Sequence, residues 1–145
     1  MRAVIQRVKS ASVNVGGKKK AKIKRGLLVL LGIRRSDQKK NAFVLAKKIV
    51  NLRIFADDQN KMNLSLLDIK GEILVVSQFT LYANCKKGNR PSFQEAAEKQ
   101  KAKQLYQEFI KAIETFGLKP KTGEFGAMME VSLINDGPVT IILEA

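Results

Sequence analysis

The sequence predicts an α+β fold, a mixed and largely antiparallel sheet packed with two main helices. Two observations carry this. Segments with strand-like alternation or continuous apolar runs occupy the first third, the middle and the end of the chain. The two segments with helical spacing lie far apart between them. Short-order alternation of strand and helix, the mark of a doubly wound sheet, is absent.

The elements follow in order. Ala3 to Lys9 and Ser12 to Val15 alternate, Gly16-Gly17 signals a turn, and Ala21 and Ile23 resume the alternation. Leu27 to Leu31 is a continuous apolar run suited to a strand buried on both faces. Asp37 is a candidate cap for a first helix, in which Ala42, Leu45, Ala46, Ile49 and Val50 share one face. Leu52 to Phe55 reads as a short strand before the polar loop Asp57 to Lys61, and Ile69 to Phe79 holds a central strand. Ser92-Phe93-Gln94-Glu95 has the capping-box pattern. Behind it Ala102, Leu105, Tyr106, Phe109, Ile110 and Ile113 form one apolar stripe, stopping near Gly117. Ala127 to Ile134 and Val139 to Leu143 read as two strands joined by a turn at Asp136-Gly137.

Residues 1–145 read as one domain, large enough to bury a core without a disulfide or a metal. The single Cys85 excludes an internal disulfide and a multi-cysteine zinc site. No cofactor is expected. The first residues contain no uninterrupted apolar stretch of the secretory kind, so a cytoplasmic location is expected. Lys and Arg number 27 against 13 acids, a formal net charge of +14. Such an excess favours a polyanionic partner with salt-dependent binding. A lysine-rich surface kept for solubility or heat resistance is the alternative, but heat-adapted surfaces enrich Glu as well.

There is no histidine, so Ser-His-Asp and Cys-His mechanisms are excluded within the chain. A hydrolase of this composition must use a hydroxyl, main-chain N–H groups, a carboxylate, a lysine or a group of its substrate. Ser77-Gln78-Phe79-Thr80-Leu81, directly behind the strand Glu72 to Val76, places such groups at a strand end. Successive N–H groups there can stabilise an oxyanion, Gln78 can orient a polar group, and Thr80 is a nucleophile lacking a base. The same residue types also simply end strands. Asn135-Asp136-Gly137-Pro138 is by itself a turn. Gly123 to Met129 is a loop entering a strand or a place of close approach. Lys61 to Leu66 suits packing, Asp57 and Asp58 a solvated loop, and Cys85 beside Lys86 and Lys87 has no base to serve it.

Taken in order, Arg2 to Val8, Lys61 to Leu66, Ser77 to Leu81, Arg90 to Phe93, Phe125 to Met129 and Asn135 to Thr140 resemble the D-aminoacyl-tRNA deacylase family over nearly the whole chain. The resemblance implies a barrel-like sheet and a homodimer with its sites at the subunit interface. It implies a pocket wall of Ser77, Gln78, Phe79 and Thr80, with Phe125, Met129 and Ala102 near it. It also implies a cis Gly137-Pro138 pair entering from the other subunit, braced by Arg7. The implied reaction is hydrolysis of the ester between a D-amino acid and the tRNA 3′ end. The competing readings are a non-catalytic basic RNA- or DNA-binding module and a threonine-dependent esterase.

Overall fold

A computed structural model describes residues Met1–Ala145. The strands are β1 (Arg2–Val15), β2 (Lys18–Ile23), β3 (Gly26–Gly32), β4 (Phe55–Ala56), β5 (Met62–Leu64), β6 (Glu72–Ser77), β7 (Lys121–Thr122) and β8 (Glu130–Glu144). Helix α1 spans Lys39–Val50 and α2 spans Lys99–Glu114, and a 3-10 turn covers Phe79–Tyr82. The main sheet runs β2-β1-β3-β6-β7, with β8 on the other edge of β1. β1 pairs antiparallel with β2, β3 and β8, while β3–β6 and β6–β7 are parallel. The sheet curls into a nearly closed barrel with both helices packed outside it, the mixed α+β architecture expected.

Alternation along the strands builds two cores. Leu27, Val29 and Leu31 of β3 and Ile73 and Val75 of β6 face the helices. Their neighbours Leu28, Leu74 and Val76 point the other way, meeting Val8, Ala11, Val13 and Ile23 inside the barrel. A strand buried on both faces needs the uninterrupted apolar run that β3 has. The helices bury the faces their spacing predicts: Ala42, Leu45, Ala46, Ile49 and Val50 on α1, and Leu105, Tyr106, Phe109, Ala112 and Ile113 on α2. Burying a side chain of this kind contributes about 1.5–3 kcal/mol.

Four local readings change. Gln38, not Asp37, precedes α1, and its N–H donates to the Asn41 carboxamide at 2.8 Å. Asp37 is instead buried, accepting from the Met1 ammonium and from the Arg34 N–H, each at 2.7 Å. Ser92 to Glu95 does not cap α2, which begins after Glu98. Ser92 exchanges two main-chain hydrogen bonds with Asn84, and the Glu95 carbonyl accepts from Arg35, so tertiary pairing claims that segment. The strand expected at Leu52 to Phe55 is shorter and later, Phe55–Ala56 against β5.

The fourth change bears on the site. Asn135 to Pro138 is not a turn between two strands. The segments on both sides pair with the same strand, β1, so the chain never reverses. Gln6 pairs with Thr140 and Val8 with Asn135, so β8 carries excess residues opposite a short stretch of β1. They leave the ladder as a bulge, a device that re-aims backbone and side chains. The Gly137-Pro138 peptide within it is cis.

Candidate active site

A cavity of about 560 Å³ opens between the C-terminal end of β6, the start of α2 and the loop entering β8. Its lining is mainly apolar, as small-molecule sites usually are. Ser77, Gln78 and Phe79 form one wall, and Ala102, Phe125 and Met129 are among the residues opposite. Six of the ten residues singled out from the sequence are thus brought together. Thr80, Arg7, Gly137 and Pro138 do not line the cavity of this chain.

The wall is fixed by its backbone. The Gln78 N–H donates to the Leu31 carbonyl at 2.8 Å, which holds the strand end against β3. The chain then turns into Phe79–Tyr82, where Leu81 N–H donates to the Gln78 carbonyl at 3.3 Å. Phe79 and Thr80 open this turn, so their own N–H groups have no acceptor inside it. Adjacent main-chain donors without partners are groups that an oxyanion can use. The Thr80 hydroxyl is exposed and accepts from the Gln78 carboxamide nitrogen.

The far wall is anchored in the core. Phe125 packs on Tyr106 of α2 with ring centroids 5.6 Å apart. Tyr106 donates its hydroxyl to the Val75 carbonyl at 2.8 Å, and burial raises its phenol above the ordinary range. Phe125 is therefore tied through α2 to the strand that carries Ser77.

Lys99 is the one charged lining residue, and sequence reasoning did not single it out. The missed signal is its position in the first turn of α2, which contains no acid. A cation there opposes the helix dipole. Gly126, at φ +81°, makes room for it: a Cβ on Gly126 would lie 3.2 Å from Lys99 Cε.

The bulge of β8 is separately braced. Arg7 Nε donates to the Asp136 carbonyl at 2.9 Å and lies 3.2 Å from the Asp136 carboxylate. Its Nη1 donates to the Ile54 carbonyl. Asn135 Nδ2 donates to the Arg7 carbonyl at 3.0 Å and the Val139 carbonyl at 3.2 Å. A Cβ on Gly137 would sit 2.2 Å from Asn135 Oδ1, so this residue must be glycine while Asn135 keeps those bonds. Gly137 and Pro138 are exposed, and Arg7 holds the loop without entering the cavity.

The cavity combines an apolar lining with the polar side chains of Ser77 and Gln78, in a chain without histidine. The chain belongs to the D-Tyr-tRNA(Tyr) deacylase family, whose model matches residues 4–144. It is 61% identical over 145 residues to the D-aminoacyl-tRNA deacylase of Thermosipho africanus, covering 100% of this chain and 97% of that protein. It is 59% identical to the D-aminoacyl-tRNA deacylase of Desulfatibacillum aliphaticivorans, covering 100% and 99%. Proteins of that name are hydrolases of the ester bond of aminoacyl-tRNA. The solved structure of c-Myc DNA unwinding element binding protein superposes with a TM-score of 0.94 at 45% identity, covering 100% of this chain and 99% of that one. A probable eukaryotic D-amino acid tRNA deacylase shares the fold, with a TM-score of 0.85 at 17% identity over 99% and 98% of the two chains.

Proposed function

We propose that the chain, as one domain over residues 1–145, hydrolyses the ester of D-aminoacyl-tRNA. The observation that carries this reading is the cavity wall of Ser77, Gln78 and Phe79, at the start of a 3-10 turn whose first N–H groups have no acceptor within it. The ester carbonyl would accept from those N–H groups as it becomes an oxyanion. The ribose 2′-hydroxyl beside the scissile bond would activate water or attack directly. Thr80 is then a positioning residue. Its exposure, its bond from a carboxamide and the lack of any histidine all argue against a nucleophile.

Gly137 and Pro138 act on the cavity of a second copy of the chain. Two observations support this. The bulge does not line its own chain's cavity. β8 also leaves the apolar side chains of Leu133, Ile134 and Ile142 exposed, surface suited to burial in a dimer. Carbonyls of the bulge would accept from the substrate ammonium and leave no room for an L side chain, a discrimination by exclusion. Glycyl esters have no side chain to exclude and would be cleaved as well. The reaction belongs in the cytoplasm, where an exposed thiol such as Cys85 stays reduced. No helix is long and apolar enough to cross a membrane.

A second reading has one observation in its favour. The structural relative with a TM-score of 0.94 is named for binding a DNA element, and a net charge of +14 would serve binding alone. Hydrolysis of matched D- and L-tyrosyl-tRNA, with EDTA present, separates the two. Release from the D ester alone supports a chiral deacylase. No release, with tight salt-dependent binding, supports the binding module. Equal release from both esters overturns exclusion at Gly137-Pro138.

A further inference from the structure

Phe79 and Phe93 form an exposed aromatic pair at the rim of the cavity. Their ring centroids are 5.0 Å apart and their planes meet at 66°. Phe79 lines the cavity and is 57% exposed, and Phe93 outside it is 36% exposed. The position of Phe93 is built: Asn84 and Ser92 exchange hydrogen bonds of 2.8 and 2.9 Å just before it, and Ala96 N–H donates to its carbonyl at 3.0 Å. Ala97 N–H is tied to the Ile33 carbonyl at 2.9 Å. The loop closed by the Asn84–Ser92 bridge carries Lys86, Lys87 and Arg90, all exposed and none paired with a carboxylate.

We propose that Phe79 and Phe93 are a stacking shelf for the nucleobase immediately 5′ of the terminal aminoacyl nucleoside, with Lys86, Lys87 and Arg90 receiving the phosphates. This rests on the deacylase reading of the cavity and extends it outward by one nucleotide. An exposed aromatic face beside cations is the general means of holding a single strand without reading its sequence. Charge selects this occupant: Lys86, Lys87 and Arg90 are exposed and unpaired beside the rings, and a nucleotide strand brings one negative charge per phosphate.

The test compares D-tyrosyl-adenosine, the D-tyrosyl ester of the dinucleotide CpA, and D-tyrosyl-tRNA as substrates for the full-length wild type, Phe93→Ala and Phe93→Trp. Binding of the unacylated trinucleotide CpCpA is measured in parallel. The wild type should show a lower KM for the dinucleotide ester than for the nucleoside ester. Phe93→Ala should lose about 5- to 150-fold of that affinity, the worth of one base stacked on an aromatic ring. Its kcat and KM on the nucleoside ester should stay as in the wild type, and Phe93→Trp should restore the dinucleotide advantage. Equal losses on nucleoside and dinucleotide would assign Phe93 a structural role and overturn the shelf. So would no loss on either, or a change of oligomeric state without dependence on substrate length. If the wild type cleaves none of the three esters, the deacylase reading fails. The shelf is then judged on CpCpA binding alone, standing if Phe93→Ala weakens it and falling if it does not.

Discussion

Arg7 Nε donates to the main-chain carbonyl of Asp136 at 2.9 Å, so one side chain of β1 holds the bulge of β8 in place. The guanidinium is only 14% exposed and also reaches the Asp136 carboxylate and the Ile54 carbonyl. Hydrogen bonds to a charged group are worth about 1.5–3 kcal/mol each, less where water competes. Arg7→Ala should lower the thermal midpoint and reduce the D-over-L selectivity of hydrolysis. Arg7→Lys keeps the charge but cannot form the fork, and should recover stability better than selectivity. Unchanged selectivity in Arg7→Ala would show that the bulge holds itself.

Gly137→Ala tests the bulge from the inside. The new Cβ would overlap Asn135 Oδ1, and Asn135 can move only by giving up its bonds to the Arg7 and Val139 carbonyls. At about 1 kcal/mol for each neutral bond, the cost should be about 2 kcal/mol of stability. Gly137→Ala with Asn135→Ala removes the obstruction, so the pair should be less destabilised than the two single changes summed. Strict additivity in denaturant melts would mean the two residues do not compete for space.

Much of this architecture was legible in the residues, for physical reasons. The run Leu27 to Leu31 and the stripes of α1 and α2 could be read because burial demands one hydrophobic period. The wall Ser77 to Phe79 was legible because a polar cluster follows an apolar strand. The bulge was not, since Asn135-Asp136-Gly137-Pro138 has the composition of a hairpin turn, and only the shared partner β1 shows that the chain continues. Asp37 and Ser92 carried capping patterns that the Met1 ammonium and Asn84 outcompete. Lys99 was hidden because a lysine among lysines gives no sign of facing a cavity.

Lys99 sits where the dipole of α2 disfavours it, in a chain already at +14. A carboxylate in a helix's first turn is favoured by about 0.3–1 kcal/mol. Lys99→Glu should therefore raise the thermal midpoint slightly, by about 1–3 °C for a domain of this size. The same change puts a negative charge in the cavity proposed to take the tRNA end, so KM for D-tyrosyl-tRNA should rise. The salt dependence of KM should become shallower. A variant that is more stable and equally active would remove Lys99 from the site.

Stability should hold a wide pH plateau, with a fall at each side. Asp68 is held below its ordinary 3.8 chiefly by the Ser65 hydroxyl, Asp57 chiefly by the Lys61 N–H, and Glu108 below its ordinary 4.5 chiefly by a hydrogen bond from Lys39. Depressed carboxylates mean that the unfolded chain takes up protons first as pH falls. Their contribution is complete above the ordinary values and is lost below them. The tyrosines act in the opposite sense. Burial pushes Tyr82 up to about 12 and Tyr106 higher, so the unfolded chain releases those protons first. Their contribution is complete below the ordinary 10.0 and is lost as pH rises past it. With no histidine to break the plateau, the thermal midpoint should stay level from about pH 5 to 9 and decline on both sides. Tyr106→Phe removes the phenol that is shifted further. It should cost stability at neutral pH through the lost bond to the Val75 carbonyl, and it should soften the alkaline decline. An alkaline decline as steep in Tyr106→Phe as in the wild type would trace that limb to other groups.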